Sequence, residues 1–288
     1  MSTQIPTHFV KAFERGIMHL AEQKESRLRP HVRVEMLSTG DRSFFDQVGS
    51  VTAQPVTTRH ADTPLTDTPH SRRMVIPVPY KHADLIDKTD MIRTLNDPTN
   101  AYVTAFGRAF GRAMDDVIVA AAFATAKTGV DGSTSSAFDT VGYQIASSSV
   151  GLTLGKLTEA NKKLRAAEND PDDGFRFAVS QEQIEDMLND STFTSADYNA
   201  IRALMTGEIN TFMGFTWVAL ERLGTDGSGD RRCIAWAKNT LLLGMAAEPS
   251  TRISERDDKN YSTQVFMSMD LGATRMEETG VVEVLCSE

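Results

Sequence analysis

From Asp97 to Gly129 the chain reads DPTNAYVTAFGRAFGRAMDDVIVAAAFATAKTG, with no proline after Pro98. A stretch this long and this regular commits the chain to one extended helix. Asp97 is a suitable N-cap, and Pro98 suits the first helical position, where no backbone N–H is needed. Gly129 stands where a left-handed C-terminal residue belongs. Tyr102, Phe106, Phe110, Met114 (or Ala113), Val117 and Ala121 recur every three to four residues and make one apolar face. Arg112 can meet Asp115 and Asp116 at i+3 and i+4, worth a few tenths of a kcal/mol per pair. Roughly 28 residues at ~1.5 Å each give a rod of about 42 Å. Gly107 and Gly111 each cost about 1 kcal/mol against Ala in a helix, which implies a second backbone passing close. Such a helix is either the core helix of an α+β domain or a spine across a flat subunit.

The 288 residues are enough for one large domain or two modest ones. A net charge of −9 argues against a general nucleic-acid binder, which carries a basic surplus. No run approaches the roughly 18 apolar residues of a membrane span, and MSTQIPTHFVKAF is not a signal peptide. Cys233 and Cys286 are the only cysteines and read as buried core thiols; a disulfide between them has no support in the sequence.

Residues 1–40 read as an arm. Thr7 caps a helix with a narrow stripe of Phe9, Phe13, Ile17 and Leu20, and an extended stretch follows in which Arg27, Arg29 and Arg33 surround Leu28, Val32 and Val34. Pro30 keeps that stretch extended. The stripe is too thin for an independent domain and needs another surface. Residues 41–82 are a long excursion, strand-like from Ser43 to Val56 and again from Arg72 to Val78, with the turn-rich ADTPLTDTPH at its tip. An isolated two-stranded hairpin is marginal in water. The excursion is therefore either a loose insertion or an arm that orders on a neighbouring subunit; β-branched alternation with Arg59, Arg72 and Arg73 favours the arm.

After the long helix, Val130 to Ser149 is small and polar and reads as a mobile surface loop. Leu154 to Asn169 is an amphipathic helix with Leu154, Leu157, Leu164 and Ala167 inward, and Phe175–Val179 is a short strand. Ser180 caps a helix to about Leu188, with Glu182 favourable in its first turn. Ser195 caps another to about Met205. Phe212–Leu220 and Arg232–Trp236 are strands. Tyr261–Met269 and Val281–Leu285 are strands joined by the turn LGATRMEETG, and they should return to pack beside the long helix.

Little here supports catalysis. The six histidines, His8, His19, His31, His60, His70 and His82, all lie in the N-terminal part, and none has metal-ligand spacing. Phosphate-loop, nucleophile-elbow and zinc-protease motifs are missing from the sequence. Asp115 and Asp116 as an acid/base pair compete with the plainer reading of an ion-paired helix face. Asp170, Asp172 and Asp173 fit a turn better than a Ca²⁺ site. No cofactor or metal is expected.

The order of arm, long β-excursion, long helix, α/β unit and β return resembles the major capsid protein of tailed bacteriophages, the Hong Kong-type capsid fold. The resemblance covers nearly the whole chain and is carried most specifically by the Asp97–Gly129 segment and by the ending DLGATRMEETGVVEVLCSE. It implies an α+β fold divided as an N-terminal arm (1–40), an extended loop (41–82), a peripheral domain (83–130) with a spine helix (98–128), an axial domain (131–250) and peripheral return strands (251–288). It implies a non-enzymatic shell subunit that joins itself as pentamers and hexamers around double-stranded DNA without reading its sequence, with no membrane. Its other partners would be a portal protein and possible scaffolding and cement (decoration) proteins; scaffolding would be separate, or a segment cleaved before residue 1. The place would be the virion capsid, assembled in the host bacterial cytoplasm. Subunit contacts are expected at Phe9, Phe13, Arg29, Arg33, Arg59, Arg72 and Arg73. Some members cross-link loop lysines to neighbouring asparagines; residues 38–80 contain no lysine, so no such bond is expected. Competing readings are an encapsulin-like nanocompartment shell, disfavoured by the long 41–82 excursion, and a soluble enzyme using Asp115 and Asp116.

Overall fold

A computed structural model describes residues 22–37, 40–55, 57–59, 65–87, 99–170, 174–189 and 211–288. The expected helices at Thr7 and Ser195, the Asp97–Pro98 cap and residues 60–64 of the loop tip lie outside these residues. Among the described residues the strands are β1 (Arg33–Met36), β2 (Ser43–Val48), β3 (His70–Val75), β4 (Val78–Ile86), β5 (Ala126–Thr128), β6 (Thr134–Ser136), β7 (Gln144–Ile145), β8 (Phe175–Val179), β9 (Thr211–Phe212), β10 (Phe215–Ala219), β11 (Arg231–Ala237), β12 (Leu241–Arg256), β13 (Ser262–Arg275) and β14 (Val281–Cys286). The helices are α1 (Thr99–Phe123), α2 (Thr140–Tyr143), α3 (Leu154–Ala166) and α4 (Gln181–Asn189). They form three sheets, of order β1-β12-β13-β4, β7-β14-β11-β8-β10-β9 and β2-β3-β5-β6.

The chain divides into two compact units, and α1 contributes to both: one holds Met1–Ser26, Pro79–Arg112 and Ala247–Asp270, the other Arg27–Val78, Ala113–Ala246 and Leu271–Glu288. In the first, α1 buries Phe106 and Phe110, and His82 of β4 meets Phe106 edge-on at 4.3 Å between ring centroids. Val265, Met267 and Met269 alternate on the buried face of β13, as a half-buried strand requires. The β12–β13 connection turns through Asn260 and Tyr261, both at positive φ. Glu22 receives Arg112 at 2.6 Å and lies 3.5 Å from Arg108, so Arg112 looks back to the N-terminal segment rather than forward to Asp115 and Asp116.

The second unit is built on the six-stranded mixed sheet. Phe175, Phe177, Phe215 and Trp217 pack with centroids 5.1–6.2 Å apart, and each such ring buries enough apolar area to stabilise by several kcal/mol gross. Leu157, Ala160 and Leu164 of α3 are buried as their spacing requires. Gln183 reaches back over the start of α4, its carboxamide oxygen accepting from both the Ser180 N–H at 2.9 Å and the Ser180 hydroxyl at 2.5 Å.

Several expectations are corrected. The long helix ends at Phe123, not near Gly129, because Ala126–Thr128 is taken up as β5, paired with β3 and β6. Gly129 is indeed left-handed (φ +90°), but it turns β5 into β6. The 130–149 segment is not an open loop: it supplies β6, α2 capped by Asp139, and β7 with Ile145 buried. Phe212–Leu220 is a hairpin turning at Met213 and Gly214, both at positive φ, where a single strand was expected. LGATRMEETG is strand as far as Arg275 and turns only after it. The final strand does not lie beside α1: all six residues of β14 are buried, and it pairs between β7 and β11 in the six-stranded sheet. A strand covered on both faces reads as a continuous apolar run, which says nothing about where it goes.

The two helix glycines differ. A Cβ on Gly111 would lie 2.9 Å from the Ser26 amide nitrogen and 3.0 Å from the Glu25 carbonyl carbon, whereas one on Gly107 would meet nothing within 4 Å. Gly111→Ala should therefore destabilise by about 1–3 kcal/mol through forced backbone movement. Gly107→Ala should stabilise by up to about 1 kcal/mol through helix propensity. Thermal unfolding of the two variants checks the opposite signs.

Candidate assembly surfaces

Among the described residues, the hairpin and its continuation carry several exposed apolar side chains. β2 and β3 pair antiparallel from Ser43↔Val75 to Val48↔His70, so Phe44, Asp46, Val48, His70, Arg72 and Met74 share one face and Ser43, Phe45, Gln47, Ser71, Arg73 and Val75 the other. The second face turns inward: Phe45 packs on the buried cluster of Val75, Leu242 and Met276. On the first face the Arg72 guanidinium grips Asp46 in a fork and lies 5.6 Å over the Phe44 ring. That hydrogen-bonded pairing holds the Asp46 carboxyl below its usual range. Val48 is 67% exposed and Leu65 96%, and Val51, Ile76 and Val78 are exposed too.

The residues expected at subunit contacts fare unequally. Phe9 and Phe13 lie outside the described residues. Arg29 sits half-buried in the short 3-10 turn Arg29–His31. Arg33 is exposed on β1 and paired with Glu35 at 2.7 Å. Arg59 is exposed, and Arg72 lies on the outer face of the hairpin. Arg73 is corrected: it is only 7% exposed and is spent inside the chain, its Nη2 donating to both Glu278 oxygens at 2.8 and 2.6 Å. The strand's period of two puts adjacent arginines on opposite faces, which separates Arg72 from Arg73.

Asp115 and Asp116 do not form an acid/base pair. Asp115 is 0% exposed and accepts from the amide nitrogens of Arg27 and Leu28 at 3.1 and 3.0 Å. It is a backbone staple rather than a solvated helix face. Asp116 pairs with Arg222 beside a shallow recess floored by Val119, Ala120 and Phe123. Among the described residues no cluster of His, Cys, Asp or Glu has the makings of a metal site, and no helix is long and apolar enough to cross a membrane. Cys233 and Cys286 are buried free thiols, and burial pushes the Cys233 thiol well up.

The sequence reading missed the buried charges that bind backbone. Lys156 Nζ lies 2.6–2.9 Å from the carbonyls of Ser147, Val150, Gly151 and Leu285, four acceptors that share its three N–H donors and tie α3 to β14. Arg275, 0% exposed, donates to Ala122 and Ala124 at the end of α1 at 2.8 and 2.9 Å. A charged residue in a helical or strand pattern gives no sign that its target is a distant backbone group.

The sequence profile of the phage capsid protein family matches residues 5–288. The chain belongs to the phage capsid protein family. It is accordingly a major capsid protein, a structural subunit of the phage head shell and not an enzyme. The fold agrees with that of solved capsids at low identity. The Ralstonia phage GP4 capsid superposes with a TM-score of 0.75 at 12% identity over 97% of this chain and 95% of that one. The cyanophage Pam1 capsid gives 0.70 at 16% identity over 99% and 97%. The capsid of a native GTA particle gives 0.68 at 10% identity over 100% of both chains. These likenesses establish the Hong Kong-type α+β fold. No curated protein matches the sequence.

Two measurements test the buried groups. Asp115→Asn leaves one acceptor where two N–H groups point and should cost about 1–3 kcal/mol, read from the urea midpoint. The His31 imidazole is held below its ordinary value of 6.5, first by burial and then by repulsion from Arg176 and Lys238. Its depressed folded pKa means the unfolded chain binds the proton more readily. Stability should therefore fall as pH drops below about 6.5 and be intact above it. Unfolding compared between about pH 5 and about pH 7.5 should show this slope, and His31→Gln should flatten it.

Proposed function

We propose that copies of this capsid protein associate as pentamers and hexamers into a closed icosahedral shell around packaged double-stranded DNA, with the hairpin and the N-terminal segment as arms laid on neighbours. The observation that carries this is the hairpin: Val48, Val51, Leu65, Ile76 and Val78 are exposed on an excursion whose inner face packs on its own unit. Apolar side chains gathered on a projecting segment mark an interaction surface. Many weak contacts of this kind suffice in a closed shell, because each added copy makes its next contacts intramolecular. The five-fold symmetry applied to the related GTA particle is consistent with vertices made of five copies. A net charge of −9 suits a container that must not grip the DNA it encloses. A portal protein belongs to this reading, with scaffolding and cement proteins as candidate further partners, and assembly in the host bacterial cytoplasm ends in the virion. The exposed side chains of Arg33, Arg59 and Arg72 are the arginines placed to reach neighbours.

Negative-stain microscopy of the purified protein should show closed particles, tubes or capsomers; monomers under every assembly condition would count heavily against the shell. Deleting residues 57–70 should leave a soluble subunit that assembles poorly. Assembled wild-type particles should run as a single band on a denaturing gel, since residues 38–80 supply no lysine for cross-links.

A further inference from the structure

The hairpin is seated on the turn between β13 and β14. Arg73 Nε on β3 and Gln47 Nε2 on β2 both donate to the Met276 carbonyl, at 2.8 and 3.1 Å, so both strands hang from one acceptor. Arg73 Nη2 closes the seat with its two bonds to Glu278. The same carboxylate accepts from Ser136 Oγ of β6 at 2.7 Å and lies 3.9 Å from the Arg275 guanidinium. One carboxylate thus answers two guanidiniums that are 7% and 0% exposed. At the root, a Cβ on Gly272 would lie 2.4 Å from the Ile76 carbonyl oxygen, so strand β13 abuts the hairpin backbone directly.

Besides this polar seat, the hairpin base is held by Phe45 and Val75 packed with Leu242 and Met276. The ladder from β3 to β5 covers only Arg73 and Met74. Beyond Val48 and His70 the two sides carry no strand pairing among the described residues, apart from the Gly49 N–H bonding to the Pro69 carbonyl at 2.8 Å. A small angular change at the seat is therefore carried out to the exposed tip.

We propose that the Met276–Glu278 turn is a latch that sets the direction in which the hairpin leaves its unit, and that closing a shell depends on the latch being engaged. This rests on the hairpin being an intersubunit arm. The Glu278 charge is the element that matters: without it two buried cations lose their shared counter-charge, the situation in which breaking a buried pair is most costly. The latch acts by orientation and leaves the six-stranded sheet untouched.

The test combines hydrogen exchange and microscopy on full-length wild type, Glu278→Gln and Arg73→Lys. The lysine keeps the charge and loses the fork, and it decides the matter if the glutamine variant fails to fold. Exchange in 43–48 and 70–75 should quicken by about tenfold or more, while β11 and β14 keep wild-type protection. The yield of closed shells should fall by a similar factor, with open or irregular assemblies in their place. Unchanged exchange in the hairpin would overturn the latch. Quickened exchange with shells of wild-type yield and diameter would overturn its part in assembly. Should the wild type itself form no shells, the shell reading is what fails, and the exchange result alone then decides the latch.

Discussion

A helix C-terminus leaves its last carbonyls without intrahelical partners, and near the end of α1 the Ala122 carbonyl belongs to a fully buried residue. Arg275 meets this need. Its guanidinium reaches from the end of β13 to the Ala122 and Ala124 carbonyls, lies 5.3 Å from the Phe138 ring centroid, and has Glu278 at 3.9 Å. The position is favourable twice over: a cation sits at the negative end of the helix dipole, and its donors match oxygen atoms that would otherwise be unpaired. It also explains where β13 must stop. The strand continues to Arg275 because that side chain has to arrive at the helix end, and the chain turns immediately afterwards. Helix, strand and turn are therefore placed by one contact between residues about 150 positions apart.

The same device recurs at other joints of this unit. Asp115 takes two amide hydrogens of the segment entering β1, and Lys156 takes four carbonyls of a loop and the last strand. Each is a buried charge that binds backbone groups directly. A buried ion pair competes poorly with apolar packing because both ions must be desolvated. A single charge that satisfies backbone groups which are themselves buried avoids half of that cost and fixes a chain path to within a hydrogen-bond length. Removing such a group leaves several unpaired atoms at once, which makes these positions more sensitive than their number implies. For a subunit that must present the same surfaces in every copy, fixing the path of irregular segments matters as much as total stability.

Local pattern carried much of the fold. The helix stripe of Phe106, Phe110 and Met114, the amphipathic α3, the capped α4 and the strands β8 and β11 follow from spacing and capping residues. The hairpin was legible in part: strands were expected over Ser43–Val56 and Arg72–Val78 around a turn-rich tip, and the paired segments are Ser43–Val48 and His70–Val75. The misses share a cause. Ala126–Thr128, Thr134–Ser136 and Gln144–Ile145 are strands of two or three residues with no pattern of their own, created by edges supplied from elsewhere. The long strand β12 was passed over because most of its outer half, Ala247–Arg256, is exposed and polar. The direction of an arginine side chain depended on strand parity, so Arg72 and Arg73 looked alike in sequence and face opposite ways.

Parity also clarifies how the hairpin divides its work. Its inner face, with Phe45, Gln47, Arg73 and Val75, binds the chain's own unit, while on its outer face Met74 is buried and Phe44 and Val48 remain exposed. Burying the outer face at home as well would have made a more stable monomer and removed the surface available to another copy. Conversely, a hairpin with neither face used would be marginal, since two strands alone rarely hold in water. Seating one face with specific polar bonds and leaving the other apolar resolves the conflict: the arm stays directed before any partner arrives, and less conformational freedom remains to be lost when one does.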